Sequence, residues 1–302
     1  MEPSGLRKRK KKRMNNLSEK IEKIILQHGS RGMDRLQKSL TPGYCRRAAE
    51  LVLNNKGVVV VGTGFPVSGS FESDGPIGAI SLYRILLDLA YEPVFACAPP
   101  ISKILANGFL TYELPLAGWD ESRSAIRKAL RDLDPKMIVS VERPGVAADG
   151  RYYNMHRKDI TDATAKFDLF LLESNCPSIA FGDGGNEIGM GKVAEALADM
   201  DIIPSVTGCD ELVIASVSNW GVYGVIAVLC DLLDRDLFEL VDPESIANYL
   251  VANGCVDGVT NRKEASEDGF PIEVSKSIIQ QLRDLIFKEK DTDLHRSTQI
   301  RK

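Results

Sequence analysis

Residues 181–191 read FGDGGNEIGMG and place two acids among five glycines. Glycine lets a backbone approach a ligand closely, and Asp183 and Glu187 bring carboxylates to the same place. Because these acids are four residues apart, they would share one face of a helix that had already begun. Crowded carboxylates repel one another, so some must have raised pKa values, which suits general acid–base chemistry or metal binding.

The same stretch does not match a phosphate-binding P-loop, whose pattern is G-x4-G-K-[ST]. Gly185 and Gly191 are one residue too far apart, and Val193 follows Lys192 where a hydroxyl is required. The earlier glycine segment from Gly62 also fails as a dinucleotide fingerprint, because proline and valine replace the tight entry into a helix. A generic anion site at a helix N-terminus stays open, since free N–H groups attract negative charge.

The pattern of strands and helices predicts which side chains can meet. Apolar runs rich in β-branched residues, such as 58–61 and Met137–Val141, are typical of strands buried on both faces. Amphipathic segments such as Trp119–Leu133 alternate with these strands. The alternation indicates βαβ units, and we therefore predict a doubly wound, mostly parallel sheet with helices on both faces (α/β/α) and a helical N-terminal extension.

Composition and charge narrow the class of protein. The chain is 44% hydrophobic and has a net charge of −4. Because residues 7–13 (RKRKKKR) carry seven positive charges, the rest of the chain is markedly acidic. An acidic surface repels phosphate groups, so nucleic acid is not expected as a partner of the folded body. No apolar run approaches the roughly 20 residues of a membrane helix, and no membrane partner is expected. Six cysteines without CxxC spacing favour reduced thiols and a cytoplasmic location.

We predict three regions along the chain. Residues 1–14 form a disordered basic tail because like charges repel, with a nucleic-acid patch and an organelle presequence as alternatives. Residues 15–290 form a single α/β domain, and residues 291–302 form a flexible C-terminal tail.

Polar, glycine-containing loops follow several of the predicted strands. In a parallel sheet the carboxyl ends of the strands lie along one edge, where ligands bind. The loops at 62–76, 142–154, 182–187 and 218–221 should therefore converge there, with 256–260 as a fifth candidate. Each loop alone is compatible with a simple turn or helix cap, but their common placement favours a site.

The candidate site residues follow from these loops. The candidate catalytic acids are Asp183, Glu187, Glu142 and Glu72. The residues expected to bind a small acidic substrate are Asp74, Gly75, Arg143, Arg151, Asn154, Gly184, Gly185, Asn186, Ser218, Asn219 and Asp257. No cofactor is indicated with certainty. A divalent metal, Mg²⁺ or Mn²⁺, is an open alternative, with Asp183 and Glu187 as its ligands. A homo-oligomer is also an open alternative.

The motifs in these loops resemble those of the D-glutamate cyclase family, and more narrowly its C-terminal cyclase-like domain, which also occurs alone. They are TGFPV (63–67), E-x-DGP (72–76), ERPG (142–145), DGRYYN (149–154), GDGGNEIGMGKV (182–193), SNWG (218–221) and VDGVT (256–260). The resemblance runs from about residue 16 to residue 288.

The resemblance implies a lyase that dehydrates D-glutamate to 5-oxo-D-proline, in which the α-amine attacks the γ-carboxyl group and water leaves. Asp183 or Glu187 could accept the amine proton, and a protonated Glu142 or Glu72 could serve the leaving oxygen. Backbone N–H groups in 184–185 could hold the oxyanion.

Two other functions stay open. One is a Mg²⁺- or Mn²⁺-dependent hydrolase of a small acidic metabolite, with Asp183, Glu187 and Asp257 on the metal. The other is a non-catalytic sensor of an acidic amino acid.

Overall fold

A computed structural model describes residues 16–29 and 31–299, with side chains described as far as Lys288. The predicted basic tail at 1–14 lies outside the described residues. Among the described helices, none combines the length and the apolar composition needed to cross a bilayer.

Strands and helices alternate along the described chain. The strands are β1 (Val58–Gly62), β2 (Pro66–Val67), β3 (Ser70–Phe71), β4 (Glu92–Cys97), β5 (Thr111–Glu113), β6 (Met137–Val141), β7 (Ser178–Gly182), β8 (Glu211–Ile214), β9 (Ser266–Glu267) and β10 (Phe270–Pro271). The helices are α1 (16–25), α2 (Met33–Leu36), α3 (Tyr44–Asn54), α4 (Pro76–Asp88), α5 (Ile101–Leu105), α6 (Trp119–Leu133), α7 (Asp168–Glu173), α8 (Ala194–Leu197), α9 (Ser218–Leu233), α10 (Pro243–Ala252) and α11 (Ile272–Gln299). Short 3₁₀ turns lie at Gln37–Ser39, Thr161–Ala163, Met190–Val193 and Leu237–Leu240.

The central sheet has six parallel strands in the order β5-β4-β1-β6-β7-β8, which confirms the predicted doubly wound fold. The chain first builds outward from β1 through β4 and β5, and then returns to the other side of β1 for β6. The loops that leave β1 and β6 therefore diverge and open a crevice at the carboxyl edge, the usual ligand position in such sheets.

Alternation along the strands explains why both faces of the sheet are covered. Val59 and Val61 of β1 belong to the larger core, which includes residues of α3, α4, α9, α10 and α11. Val60 points into the smaller core with residues of α6 and α7. Because successive strand residues face opposite sides, a continuous apolar run is the pattern that two helical layers require.

The N-terminal extension is held to the domain by a buried acid. Glu22 of α1 is fully buried and accepts hydrogen bonds from the Ser18 hydroxyl (2.9 Å) and from the backbone N–H groups of Gly43 (3.2 Å) and Cys45 (3.3 Å). The carboxylate thereby satisfies free N–H groups at the start of α3. The helical extension predicted from the sequence is confirmed.

Several predicted element bounds are wrong. The sequence pattern of 187–199 predicts a helix, but the structure has bends, a 3₁₀ turn at Met190–Val193 and the short α8 there. The physical reason lies in the backbone: Gly189 has a left-handed φ of 99°, and the N–H groups of Gly189 and Gly191 both donate to the carbonyl of Thr207. The pattern of 159–172 likewise predicts one long helix, but only the 3₁₀ turn Thr161–Ala163 and α7 form there. The pattern of 273–288 predicts the last helix, and α11 continues beyond it to Gln299, into the segment predicted as a C-terminal tail.

Close packing at Gly62 gives a test of the layer structure. A Cβ added at Gly62, at the end of β1, would lie 2.4 Å from Cε2 of Phe167, which is fully buried. We expect Gly62→Ala to lower the free energy of unfolding by about 1–3 kcal/mol in urea titrations, because the ring has no room to move. In the control Gly108→Ala, the added Cβ has no atom within 4 Å, and equal losses in both variants would contradict the described packing.

Candidate functional site

Acidic side chains meet at the carboxyl edge of the sheet, where the crevice opens. Asp74 precedes α4, Glu142 directly follows β6, and Asp183 directly follows β7. One carboxylate oxygen from each of these three residues lies within 4.8 Å of the others, and all three side chains are buried. The structure thus brings together acids from loops that are far apart in the sequence.

The backbone at Glu142 is bent out of the strand to aim its side chain at this cluster. Glu142 has a φ of 45°, a left-handed conformation that costs a non-glycine residue about 1–3 kcal/mol. The Ser218 hydroxyl donates a 2.6 Å hydrogen bond to Oε2 of Glu142. Space for the turn comes from Gly75, where an added Cβ would lie 2.8 Å from Cβ of Glu142.

Asp74 is held by the N-terminus of α9. Its carboxylate accepts hydrogen bonds from the backbone N–H groups of Ser218 (2.8 Å), Asn219 (2.9 Å) and Gly75 (2.8 Å). In return, Oδ1 of Asn219 accepts from the N–H groups of Gly75 (2.9 Å) and Gly78 (2.7 Å) at the start of α4. The N-termini of α4 and α9, which carry partial positive charge, therefore lie against Asp74 and the side chain of Asn219. These hydrogen bonds fix the distance between the two helices.

The cation of the cluster comes from a residue that the sequence did not single out. Arg31, in the connection between α1 and α2, pairs with Oδ1 of Asp183 (2.7 Å) and with Oδ2 of Asp268 (2.6 Å). Burial lowers the pKa of the Arg31 guanidinium, but the two carboxylates outweigh burial and raise it well above its usual value. Neither Arg31 nor Asp268 follows a strand of the main sheet, so the loops after the predicted strands did not indicate them.

The glycine-rich loop binds its own acid. The N–H group of Gly185 donates a 2.7 Å hydrogen bond to Oε2 of Glu187, and the N–H group of Gly184 also stabilises this carboxylate. The Gly185 N–H group, which the sequence suggested for an oxyanion, thus has Glu187 as its partner in this structure, and the oxyanion role stays a prediction. Asp183 and Glu187 also do not share a helix face, since no helix begins in this segment.

A cavity of about 270 Å³ lies above the acids. Asn154 and Asn186, which the sequence proposed as ligand contacts, are part of its wall. The charged and titratable residues that line it are Arg31, Glu72, Glu142, His156, Lys158, Glu187 and Asp268. This volume is near the lower end for ligand sites and suits a small metabolite.

Burial raises the pKa values of the glutamates that line the cavity, and the rise differs from one glutamate to another. Burial raises the pKa of Glu72 well above its usual value, and Asp268 and Asp74 raise it further. Burial followed by repulsion from Glu187 also raises the pKa of Glu142 well above its usual value. Burial raises the pKa of Glu187 too, but the loop N–H groups oppose that rise by stabilising the ionised form.

Other predicted ligand residues have contacts within the protein. Arg143 is 3% exposed and donates to the backbone carbonyls of Gly64 and Ala165, which ties the loop after β1 to the segment before α7. Arg151 is 62% exposed and pairs with Asp159 (3.3 Å).

Asp257 organises the segment that follows it. Its carboxylate accepts hydrogen bonds from the N–H groups of Val259 (2.9 Å), Thr260 (2.7 Å) and Gly269 (2.8 Å) and from the Ser266 hydroxyl (2.7 Å). Burial raises the pKa of Asp257, but these hydrogen bonds outweigh burial and lower it overall.

A further buried acid, Glu267, is linked to Asp74 of the cluster through Asn219. It is fully buried, accepts a hydrogen bond from the side-chain amide of Asn219, and burial raises its pKa to about 7. Its strand β9 pairs only with β10 in a small hairpin, and no glycine-rich loop marks it in the sequence.

The raised pKa of Glu267 predicts how stability depends on pH. Between its ordinary pKa of 4.5 and about 7, the folded state binds more protons than the unfolded state, so the stabilisation present below pH 4.5 is lost as pH rises. Relative to Glu267→Gln, the wild-type free energy of unfolding should fall by roughly 3 kcal/mol across this range in urea titrations. Glu239→Gln, at an exposed position, is the control, and a pH-independent difference for Glu267→Gln would contradict the assignment.

Two solved structures have a distant similarity to this chain. A solved exopolyphosphatase-related protein from Bacteroides fragilis is 12% identical with a TM-score of 0.42, covering 83% of this chain and 59% of that one. An actinorhodin polyketide ketoreductase with NADPH is 12% identical with a TM-score of 0.27, covering 77% and 90%. At these TM-scores, neither structure indicates a function for this chain.

The human protein named D-glutamate cyclase, mitochondrial, is 33% identical over 208 residues, which are 60% of this chain and 34% of that protein. The chain thus spans about a third of the length of this relative. The model of the family described as D-glutamate cyclase-like, C-terminal, matches residues 21–283. The chain therefore belongs to the D-glutamate cyclase-like C-terminal family.

Proposed function

We propose that this chain is a lyase that dehydrates D-glutamate to 5-oxo-D-proline in the cavity at the carboxyl edge of the sheet. The observation that carries the proposal is the set of glutamates on the cavity wall, whose surroundings push their pKa values apart. Ring closure needs one group that accepts protons and one that donates them, and differently tuned carboxyls in one cavity supply both. Family membership and the human relative support the choice of substrate.

The proton balance defines what the two groups must do. As the lactam forms, the substrate ammonium loses two protons and the departing γ-carboxylate oxygen gains two to leave as water. We assign Glu187 as the base that takes the first proton and frees the amine to attack the γ-carbon. Glu72 protonates one oxygen of the tetrahedral adduct, and the second nitrogen proton joins this oxygen as the C–O bond breaks. Transfer of a proton from Glu187 to Glu72 then restores both groups.

The assignment of Glu72 as the acid rests on its surroundings. No side-chain or backbone donor reaches its carboxyl group among the described residues, and burial raises its pKa well above the usual value, which favours the protonated form that an acid needs. Glu187 differs because the N–H group of Gly185 stabilises its ionised form. Glu142 accepts a hydrogen bond from the Ser218 hydroxyl, and it serves as a hydrogen-bond acceptor in this scheme, not as the proton donor.

Basic side chains on the cavity wall suit the carboxylates of the substrate. Lys158 and His156 line the same cavity as the acids, and we assign Lys158 to the α-carboxylate of glutamate. Asn154 and Asn186 supply amide groups beside it. Holding the chain of glutamate in a bent conformer brings amine and γ-carbon together, which by itself removes a large part of the barrier.

Removing the base should abolish most of the turnover. In purified full chain supplied with D-glutamate, with and without MgCl₂ or MnCl₂, we expect 5-oxo-D-proline by chiral chromatography. Glu187→Gln should lower kcat by about 10²- to 10⁴-fold, whereas Glu195→Gln, on the exposed side of α8, should keep the wild-type rate. No product under any of these conditions would refute the proposed reaction; full rate in Glu187→Gln would refute only the role of Glu187.

The position of Glu72 can be tested without changing its chemistry. A Cβ added at Gly258 would lie 1.7 Å from Oε2 of Glu72, so Gly258→Ala must displace this carboxyl. We expect Gly258→Ala and Glu72→Gln each to lower kcat at least tenfold, whereas Gly208→Ala, whose added Cβ meets no atom within 4 Å, should not. Wild-type kcat in both Glu72→Gln and Gly258→Ala would contradict the acid role.

The other functions predict different outcomes of the same assay. A hydrolase would leave D-glutamate unchanged and lose its activity towards an acidic ester or amide in EDTA. A sensor would bind D-glutamate without forming product. The cytoplasmic location expected from the sequence stays a prediction, and "mitochondrial" is part of the human relative's name.

A further inference from the structure

Three acids, of which Glu142 lines the cavity, form a compact oxygen cage. One carboxylate oxygen each from Asp74, Glu142 and Asp183 lies within 4.8 Å of the other two. Oxygens on opposite sides of a Mg²⁺ or Mn²⁺ ion are about 4.2 Å apart, so small side-chain adjustments would close this set on one ion. The acids come from three separate loops, so the sheet edge itself creates the cage.

Unpartnered buried polar atoms at the same place are typical of a ligand-binding site. Oδ2 of Asp183 is completely buried and has no hydrogen-bond partner among the residues that the structure describes. The hydroxyl of Thr63, at the end of β1, is also buried, and it too lacks a partner within the described chain. A Cβ built on Gly75 would lie 3.0 Å from this hydroxyl and 2.8 Å from Cβ of Glu142, which places Thr63 beside the cage. Buried polar atoms normally have partners, so these atoms point to a missing one.

The balance of charge at the site points to a cation as that ligand. The carboxyl groups of the cluster and the cavity wall belong to Glu72, Asp74, Glu142, Asp183, Glu187 and Asp268, of which Glu72 is the proton donor of the proposed reaction. Arg31 is already shared by Asp183 and Asp268, and Lys158 on the cavity wall is assigned to the α-carboxylate of the substrate, so neither is left for the γ-carboxylate. A substrate with two carboxylates of its own adds further negative charge, which a buried acidic site resists unless positive charge accompanies it.

We propose that Asp74, Glu142 and Asp183 bind one divalent cation, Mg²⁺ or Mn²⁺, with the Thr63 hydroxyl beside it, and that the γ-carboxylate of the substrate completes the coordination. Hard oxygen ligands and open positions for water or substrate are the chemistry that these ions select. The substrate part of this statement rests on the proposed function, whereas the ion site does not.

The ligand set differs from the pair Asp183 and Glu187 that the sequence suggested. Glu187 turns its Oε2 to the N–H group of Gly185 in its own loop, and it is absent from the three-acid cage. Asp74 keeps capacity for an ion although it accepts backbone hydrogen bonds, because a carboxylate offers about four acceptor positions. Burial raises the pKa of Asp74 well above its usual value, and the hydrogen bonds from α9 oppose that rise; a bound divalent cation would favour the ionised form that a metal ligand needs.

Direct binding of Mn²⁺ tests the site without any assay of activity. The full chain, stripped with EDTA and dialysed, is titrated with MnCl₂ while free Mn²⁺ is followed by its electron paramagnetic resonance signal. We expect one ion per chain, competition by MgCl₂, and at least tenfold weaker binding in Asp183→Asn and in Glu142→Gln. Glu187→Gln is the matched control, because it changes a cavity acid outside the cage and should keep the wild-type affinity.

Folding is monitored separately, by circular dichroism and the thermal midpoint of each variant in EDTA. If one cage variant fails to fold, the other still decides the outcome. Absence of stoichiometric Mn²⁺ binding to the wild-type chain, or loss of binding in Glu187→Gln with retention in both cage variants, would overturn the proposal.

The ion site and the reaction can fail independently. Full conversion of D-glutamate by stripped protein in EDTA, without Mn²⁺ binding, would overturn the ion site and leave the proposed function standing. Stoichiometric binding that depends on the cage, without any product from D-glutamate, would support the ion site and refute the function.

Discussion

The site depends on burying several carboxylates at one edge of a parallel sheet. Each of these groups would be ionised in water, and removing such charges from water costs several kcal/mol unless other groups compensate. The compensation comes from the N-terminus of α9, from the glycine-rich loop and from Arg31, each of which serves a different acid. Unequal compensation separates the pKa values of the acids, and acid–base chemistry in a single cavity needs that separation.

The order of the strands explains why the acids can be brought so close. Because β1 and β6 are neighbours while their following loops run in opposite directions, side chains after both strands enter the same crevice. Small residues then allow a close approach: Gly75 lies against Glu142, and Gly258 lies against Glu72. A side chain at either glycine would change the distances on which the pKa shifts depend. The fold thus determines the chemistry through packing as well as through topology.

The sequence predicted the sheet and the convergence of its loops because both follow from local patterns. Apolar runs and turn residues are encoded within a few positions, and a parallel sheet then places the loop acids on one edge. Arg31 could not be predicted in this way, because its pairing with Asp183 joins residues 152 positions apart. The helix predicted after Glu187 failed for a related reason: the carbonyl of Thr207, distant in sequence, accepts the N–H bonds that a helix would have used.

Neighbouring residues of one motif can have opposite roles, which limits what a motif reveals. In ERPG, Glu142 faces the cavity, whereas Arg143 is buried on backbone carbonyls and braces the loop after β1. Asp257 of VDGVT likewise uses its carboxylate to fold its own segment. These bracing residues matter to the chemistry because they hold the loops at fixed separations. A cluster of carboxylates a few ångströms wide can discriminate between a proton, a guanidinium and a divalent ion only if the backbone of its loops is held rigidly, so that the side chains make no more than small adjustments.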